Sequence, residues 1–425
     1  MKFNVKRTFL VGLAFMSISC FWQMYDNIIP LILKNSFAMP ELPVGIIMAL
    51  DNVLAIFLLP FFGVLSDKVN TRMGKRMPFI MLGTAAAVIF IGLMPFADNH
   101  RSLWLFILAT AGVLLCMSTF RSPAVALMPD VTRPEHRSRG NAIINLTGTI
   151  GAIYALIMIK FTVGDGDTPD YTLLFVSIIA FMAVSTVCLG AFVPENKWAK
   201  EMRRSLKEDE EEGEQTNIGV KLQKDKQRSL IFLLFSVSFW YMAYNAVTTA
   251  FSRYAYEVWQ MENGDYAGYL MIATVAAVIS YIPIGIISGK LGRKKVILTG
   301  VGVLAASFVA AGFFTKGGIM VKVLFAIIGV AWASINVNSF PMVVDIASDG
   351  DLGKYTGYYY TFSMAAQILT PILSGALLQY VSYRVLFPYG AVFTIFAFIT
   401  MTQVRHGDTV KKKPKSLLEH LDVDD

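Results

Sequence analysis

Hydrophobic and polar positions along this chain fall into long blocks. Apolar runs occupy residues 8–33, 43–66, 77–97, 102–129, 140–163, 171–193, 229–255, 265–289, 296–315, 319–344, 355–381 and 385–404, with short charged segments between them. About 20 consecutive apolar residues cross a bilayer. A backbone in hydrocarbon must satisfy its own polar groups, so the pattern predicts twelve transmembrane helices and an all-α membrane protein. The first run reads as a span rather than a cleaved leader, being too long, carrying Asp26 and lacking a small-residue cleavage site.

One break in the pattern is longer than the rest. Residues 194–228 hold nine basic and nine acidic side chains, and the middle, "KEDEEEGEQ", cannot bury apolar surface. Its start, "ENKWAKEMRRSL", sets Trp198, Met202 and Leu206 at helical spacing. Two readings stay open there: a short amphipathic helix on the membrane surface, or a solvated linker. The sequences flanking the break resemble each other weakly. "PFFGVLSDKVNTRMGKRMPF" aligns with "IPIGIISGKLGRKK", pairing Gly63 with Gly285 and Ser66 with Ser288. "FRSPAVALMPD" aligns with "INVNSFPMVVD", pairing Asp130 with Asp345 and Arg121 with Asn336. The expected organisation is a six-helix bundle over 1–193, a linker over 194–228, a related six-helix bundle over 229–404 and a tail over 405–425, the bundles related by a pseudo-twofold axis along the membrane normal.

Composition agrees with the pattern. Of the 425 residues 55% are hydrophobic and only 16% charged, with a mean hydropathy of +0.56, against roughly a quarter charged in soluble proteins. The net charge of +7 does not point to nucleic acid, because 29 of the 37 Lys and Arg residues lie in the N-terminus, the tail, the linker or the connections after even-numbered spans. The positive-inside rule then predicts both termini in the cytoplasm. Cys20, Cys116 and Cys188 all fall within spans, which argues against a disulfide framework. The four histidines lie in loops or the tail, so no metal site is expected within the membrane, and no nucleotide loop or other cofactor motif occurs.

Polar residues inside the spans mark a candidate cavity, because they are costly against lipid. Span one carries Trp22, Gln23, Tyr25, Asp26 and Asn27; span four carries Ser118, Arg121 and Ser122. Span seven carries Tyr241, Tyr244, Asn245, Thr248 and Ser252, all on one helical face, and span ten carries Trp332, Asn336, Asn338 and Ser339. Every third helix is thus expected to line one central cavity. Asp26 and Asp51 both fall roughly 10–12 Å below the outer end of their spans, at 1.5 Å per residue. They are candidates to neighbour each other and to share a proton, or else simply to accept hydrogen bonds. Arg121 stays charged and needs an anion, a carboxylate or a hydroxyl-rich ligand; the competing reading is a structural ion pair. Asp67, Arg72, Arg76, Asp130, Arg137 and Arg139 sit at the helix ends on the side of the termini, where charge pairs can lock one conformation. Arg253 and Glu257, one turn apart, suggest a local salt bridge.

The stretch "GVLSDKVNTRMGKRMPF" resembles the loop 2–3 signature of the major facilitator superfamily. Together with "RSPAVALMPD" and "YEVW", it resembles the glycoside–pentoside–hexuronide:cation symporters, and among them the sucrose–proton symporters. The resemblance covers nearly the whole chain. It implies the major facilitator fold and proton-coupled sugar uptake by alternating access in the cell membrane, in a monomer. It implies that Arg121 lies near substrate, and that Gly63, Asp67, Arg72, Gly74, Arg76, Asp130 and Arg139 form the cytoplasmic gate. With a sugar as substrate, Trp22, Tyr25, Trp240, Tyr244 and Trp332 become candidates to stack on it, and Asn245, Asn336 and Gln367 to bond its hydroxyls. Two departures stand out. The acidic residue of plant sucrose carriers early in span four is absent, and Ala55 and Leu59 replace the melibiose carrier's paired aspartates. Coupling then falls to Asp26 and Asp51. An exporter of amphipathic molecules and a sugar sensor are the alternatives; a membrane enzyme finds no motif.

Overall fold

The apolar runs fold as helices because nothing else satisfies a peptide backbone in lipid. The computed structural model describes residues 4–132, 137–164, 169–210, 224–261, 264–347 and 352–408. The first half comprises α1 (Val5–Leu31), α2 (Glu41–Lys68), α3 (Met77–Asn99), α4 (Leu103–Val131), α5 (Arg137–Thr162) and α6 (Thr172–Phe192). After α7 (Glu195–Glu210), the second half comprises α8 (Lys224–Trp259), α9 (Asp265–Leu291), α10 (Arg293–Ala311), α11 (Ile319–Ala347), α12 (Leu352–Tyr380) and α13 (Leu386–Thr402). Twelve of these are long and apolar enough to cross a membrane, and the chain is a multi-pass membrane protein. The expected spans match the helices to within a few residues. The largest excess is at α10, which stops at Gly312 although hydropathy alone runs on to 315.

The helix ends follow local chemistry. Asn4 caps α1 by accepting from the Arg7 amide at 3.1 Å. Past Leu31 the helix widens into a π-turn over Ile32–Ser36, which carries Lys34. Exposed apolar side chains such as Phe57, Ile89, Ile282 and Phe313 cover the outer surface, as lipid-facing positions require. Within the first half α1 packs on α5 and α3 on α4; within the second, α9 packs on α11 and α8 on α13.

Between the halves, the contacts concentrate at the end away from the termini. There α2 crosses α12 with Gly45 against the Pro371 carbonyl and Gly375 against that of Glu41, so that any Cβ on Gly45 would overlap backbone. Small residues allow such close approach in membranes. The Leu42 amide also donates to Gln379 Oε1 at 2.9 Å. The structure is closed at one end.

The reading of 195–206 as a helix on the lipid surface or a solvated linker needs correction. The α7 helix docks on the first half: Trp198 and Met202 are buried, and the Arg7 guanidinium lies 5.0 Å from the Trp198 ring centroid and 2.6 Å from Glu201. Burying Trp198 against protein stabilises the helix more than the surface would. The side chain of Leu206 and the acidic stretch after Glu210 lie outside the described residues.

Candidate functional site

A cavity of about 460 Å³ lies between the halves. It is lined by Trp22, Gln23 and Asp26 of α1, Asp51 and Asn52 of α2, Arg121 of α4, Asn245 and Thr249 of α8, and Gln367 of α12. The two carboxylates and the guanidinium expected from sequence thus share one chamber, close enough to feel each other's charge. Asp51 accepts from the Asn52 amide at 2.7 Å. Arg121 forms no ion pair with any described residue; its guanidinium carbon stands 5.4 Å from the Trp22 ring centroid. That cation–π contact supports the charge from below and leaves the planar donor fork to the cavity. Trp22 Nε1 and Asn245 Nδ2 are buried without a partner among the described residues. Gln367 donates from its amide to the Ser363 carbonyl at 3.2 Å, which leaves its oxygen to the chamber.

Five of the expected residues sit elsewhere, among them Trp240, which is fully buried. Tyr25 is fully buried in an aromatic cluster, 5.3 Å from Trp22 and 5.6 Å from Phe21 between ring centroids. The Tyr244 ring stacks face to face on Trp332, with centroids 3.8 Å apart, so this pair packs on itself; Tyr244 borders a separate side chamber. Asn336 is exposed and does not line the cavity. Asn338 and Ser339 of α11 turn into their own half: Asn338 bonds the Ser334 carbonyl at 2.9 Å, and Ser339 meets the Tyr359 hydroxyl at 3.0 Å. Periodicity places residues on a face but does not say which neighbour the face meets. Gln367 of α12 takes the place that the repeat assigned to α11.

The closed end is held by groups that sequence spacing misassigned. Arg253 does not pair with Glu257, its neighbour one turn away. Its Nε donates to Glu41 Oε2 at 2.8 Å across the halves, and both side chains are about 4% exposed. The Tyr383 hydroxyl donates to the other oxygen of Glu41. Glu257 instead binds Lys34 Nζ at 2.5 Å, and Lys34 lies 3.7 Å from Glu41 and 4.3 Å from the Tyr383 ring centroid. A buried carboxylate this well surrounded beats an exposed pair on one helix, because desolvated charges demand full partnership.

At the opposite end Arg76 collects the charges. It bonds Asp130 at 2.8 Å, Ser66 Oγ at 2.5 Å, the Gly63 carbonyl at 3.2 Å, and Asp67. Arg72 is exposed, and its carbonyl accepts from Asn196; the Arg139 side chain lies outside the described residues. Gly74 adopts a φ of 131°, which favours glycine. Beside it sits Glu195 of α7, a residue the sequence reading passed over. Its carboxylate accepts from the amides of Lys75, Arg76 and Met77 at 2.7–3.1 Å. The second half repeats the device: Arg293 pairs with Asp345, the Ser288 hydroxyl bonds the Gly285 carbonyl at 3.0 Å, and Asp408 sits against Gly292, whose φ is 95°. Replacing Glu195 by glutamine keeps one acceptor and leaves buried amides short of partners, at a cost of about 1–3 kcal/mol. The variant is expected to melt several degrees below the parent protein in detergent; an unchanged melting temperature would contradict this role.

Two related six-helix halves around a polar cavity closed at one end define a secondary transporter of the major facilitator fold. The chain belongs to the MFS/sugar transport protein family, whose sequence profile matches residues 10–401; the members are transporters, not enzymes. It is similar to a sucrose transport protein of Arabidopsis thaliana, with 33% identity over 113 residues, or 22% of this chain and 19% of that one. An uncharacterized MFS-type transporter of Methanocaldococcus jannaschii is 24% identical over 399 residues, covering 92% and 93% of the two chains. The nucleoside transporter NupG superposes with a TM-score of 0.65 at 13% identity, over 95% of this chain and all of that one. The last likeness speaks for the fold alone.

Proposed function

We propose that this protein takes up a sugar or glycoside, a disaccharide of the sucrose or maltose kind, together with a proton. The observation that carries the reading is the shared chamber: an unpaired guanidinium, two carboxylates and unpartnered amide and indole donors in a cavity closed at one end. Pockets of about 300–1,000 Å³ suit small-molecule ligands. Five guanidinium donors match a hydroxyl-rich molecule. The neighbouring name of the Arabidopsis relative, a sucrose transport protein, supports the same class.

Transport then proceeds by alternating access. The positive residues beside the termini support a cytoplasmic location for that end, in a plasma or inner membrane, with the Glu41 cluster closing the outside. Residues 1–193 and 229–404 rock about the cavity, joined by 194–228, in a monomer. A proton resides on Asp26 or Asp51. Neutralising that carboxylate removes a negative charge that competes with the sugar for the field of Arg121, which links proton and sugar occupancy. The Arg76 cluster with Asp67 and Asp130 holds the first half's inner end together in the state open inward.

Sugar-induced alkalinisation of weakly buffered medium by expressing cells tests this. Wild type should alkalinise with one sugar class. Asp26→Asn or Asp51→Asn should abolish the proton signal by about tenfold or more, while sugar counterflow persists in liposomes. Counterflow of sugar without any proton signal in wild type would remove the proton from the proposal; no counterflow with any sugar would remove the sugar.

A further inference from the structure

A second chamber of about 150 Å³ adjoins the central cavity, and Gln23 and Asp26 line both. Part of its wall is apolar, from Leu270, Phe325 and Ile328. The polar part comes from Gln23, Asp26, Asn27, Tyr244, Thr248 and Thr274, and neighbouring backbone fixes the hydrogen-bonding direction of the two threonines. Thr274 donates its hydroxyl proton to the Leu270 carbonyl at 2.9 Å, and Thr248 donates to the Tyr244 carbonyl at 3.1 Å. Asn27 spends its amide on the Gln23 carbonyl at 2.9 Å, and its Oδ1 is buried with no partner among the described residues. Asn27 is 1% exposed. Lone pairs are what the two threonine hydroxyls have left to offer.

The two spaces differ in character. Arg121, Trp22 and Asn245 line the central cavity. The side chamber sets the threonine acceptors, with the Tyr244 hydroxyl and the Gln23 amide, beside an apolar floor. A buried acceptor without a donor costs about 1–3 kcal/mol, so the chamber suits a group that brings donors on its rim and a C–H face beneath. A pyranose ring has that form. At about 150 Å³ the chamber is too small for two rings.

We infer that the side chamber receives one ring of a two-ring glycoside while the other ring stays by Arg121, and that Thr274 and Thr248 set the preference for two rings over one. This rests on the sugar reading above. A bulky residue at Thr274 fills the chamber; valine there keeps the volume and removes only the oxygen.

The test is uptake of labelled sucrose, maltose and glucose into liposomes by wild type, Thr274→Leu and Thr274→Val. Wild type should carry sucrose or maltose. Thr274→Leu should lower that uptake about tenfold or more, and Thr274→Val about fivefold, the effect of one hydrogen bond, both with glucose uptake at the wild-type level. Disaccharide uptake unchanged in both variants, or falling in step with glucose in the near-isosteric valine variant, would overturn the chamber's role. A wild type that carries glucose alone would overturn it too while leaving the sugar reading intact, and a wild type that carries none of the three would overturn both.

Discussion

Replacing Arg121 by alanine should lower sugar uptake by about two orders of magnitude, with the protein still folded and inserted. The guanidinium has no partner to lose within the described protein, only its contact with Trp22, so little stability depends on it. Its donors face a chamber where each hydrogen bond from a charged group contributes about 1.5–3 kcal/mol, and 1.4 kcal/mol is a factor of ten. Arg121→Lys should recover little, because an ammonium presents a point charge rather than a planar fork. Trp22 gives a second readout: sugar should change its fluorescence in wild type and leave it unchanged in the alanine variant. Uptake within a few-fold of wild type in Arg121→Ala would sink the assignment of Arg121 to the substrate.

The second large effect lies at the closed end. Glu41→Ala removes the acceptor of both Arg253 and Tyr383 and leaves Arg253 with the Thr249 carbonyl at 3.1 Å. Unpairing a buried charge costs about 3–5 kcal/mol, and all of it falls on the closed arrangement. The balance should move by more than about a hundredfold towards the form open at that end, and uptake should fail because the cycle cannot return. Glu41→Gln keeps one acceptor and should fall between. A single cysteine in place of Thr249, which lines the cavity, reports the change in protein lacking Cys20, Cys116 and Cys188. An impermeant maleimide added on the side away from the termini should label it faster in Glu41→Ala; equal labelling rates would show that the cluster does not hold the closed form.

How far the sequence reached can be judged from particular residues. The spans were legible because lipid enforces helix on any long apolar run, and only their ends, such as Gly312, escaped. Asp26, Asp51 and Arg121 were legible because charge in a span has few places to go. Tyr25 and Asn336 were harder: a polar stripe can face a cavity or a neighbouring helix of its own half, and only packing decides. Glu41 was missed because it sits at a helix start, where an acidic residue is ordinarily a favourable partner of the helix dipole. Its real partners, Arg253 and Tyr383, lie 212 and 342 residues further along. Glu195 hid in the same way, inside a segment whose many charges suggested solvent.

The crossing of α2 and α12 carries a last implication. Where Gly45 meets the Pro371 carbonyl and Gly375 that of Glu41, two main chains touch directly, with little side-chain bulk at the points of contact. Interlocked surfaces must extract knobs from holes before they part; this one can lift off like a lid from a flat rim. The adhesion there is then supplied by the ring of charges around it, and the crossing itself serves as a smooth seat on which the lid settles in the same place on every cycle.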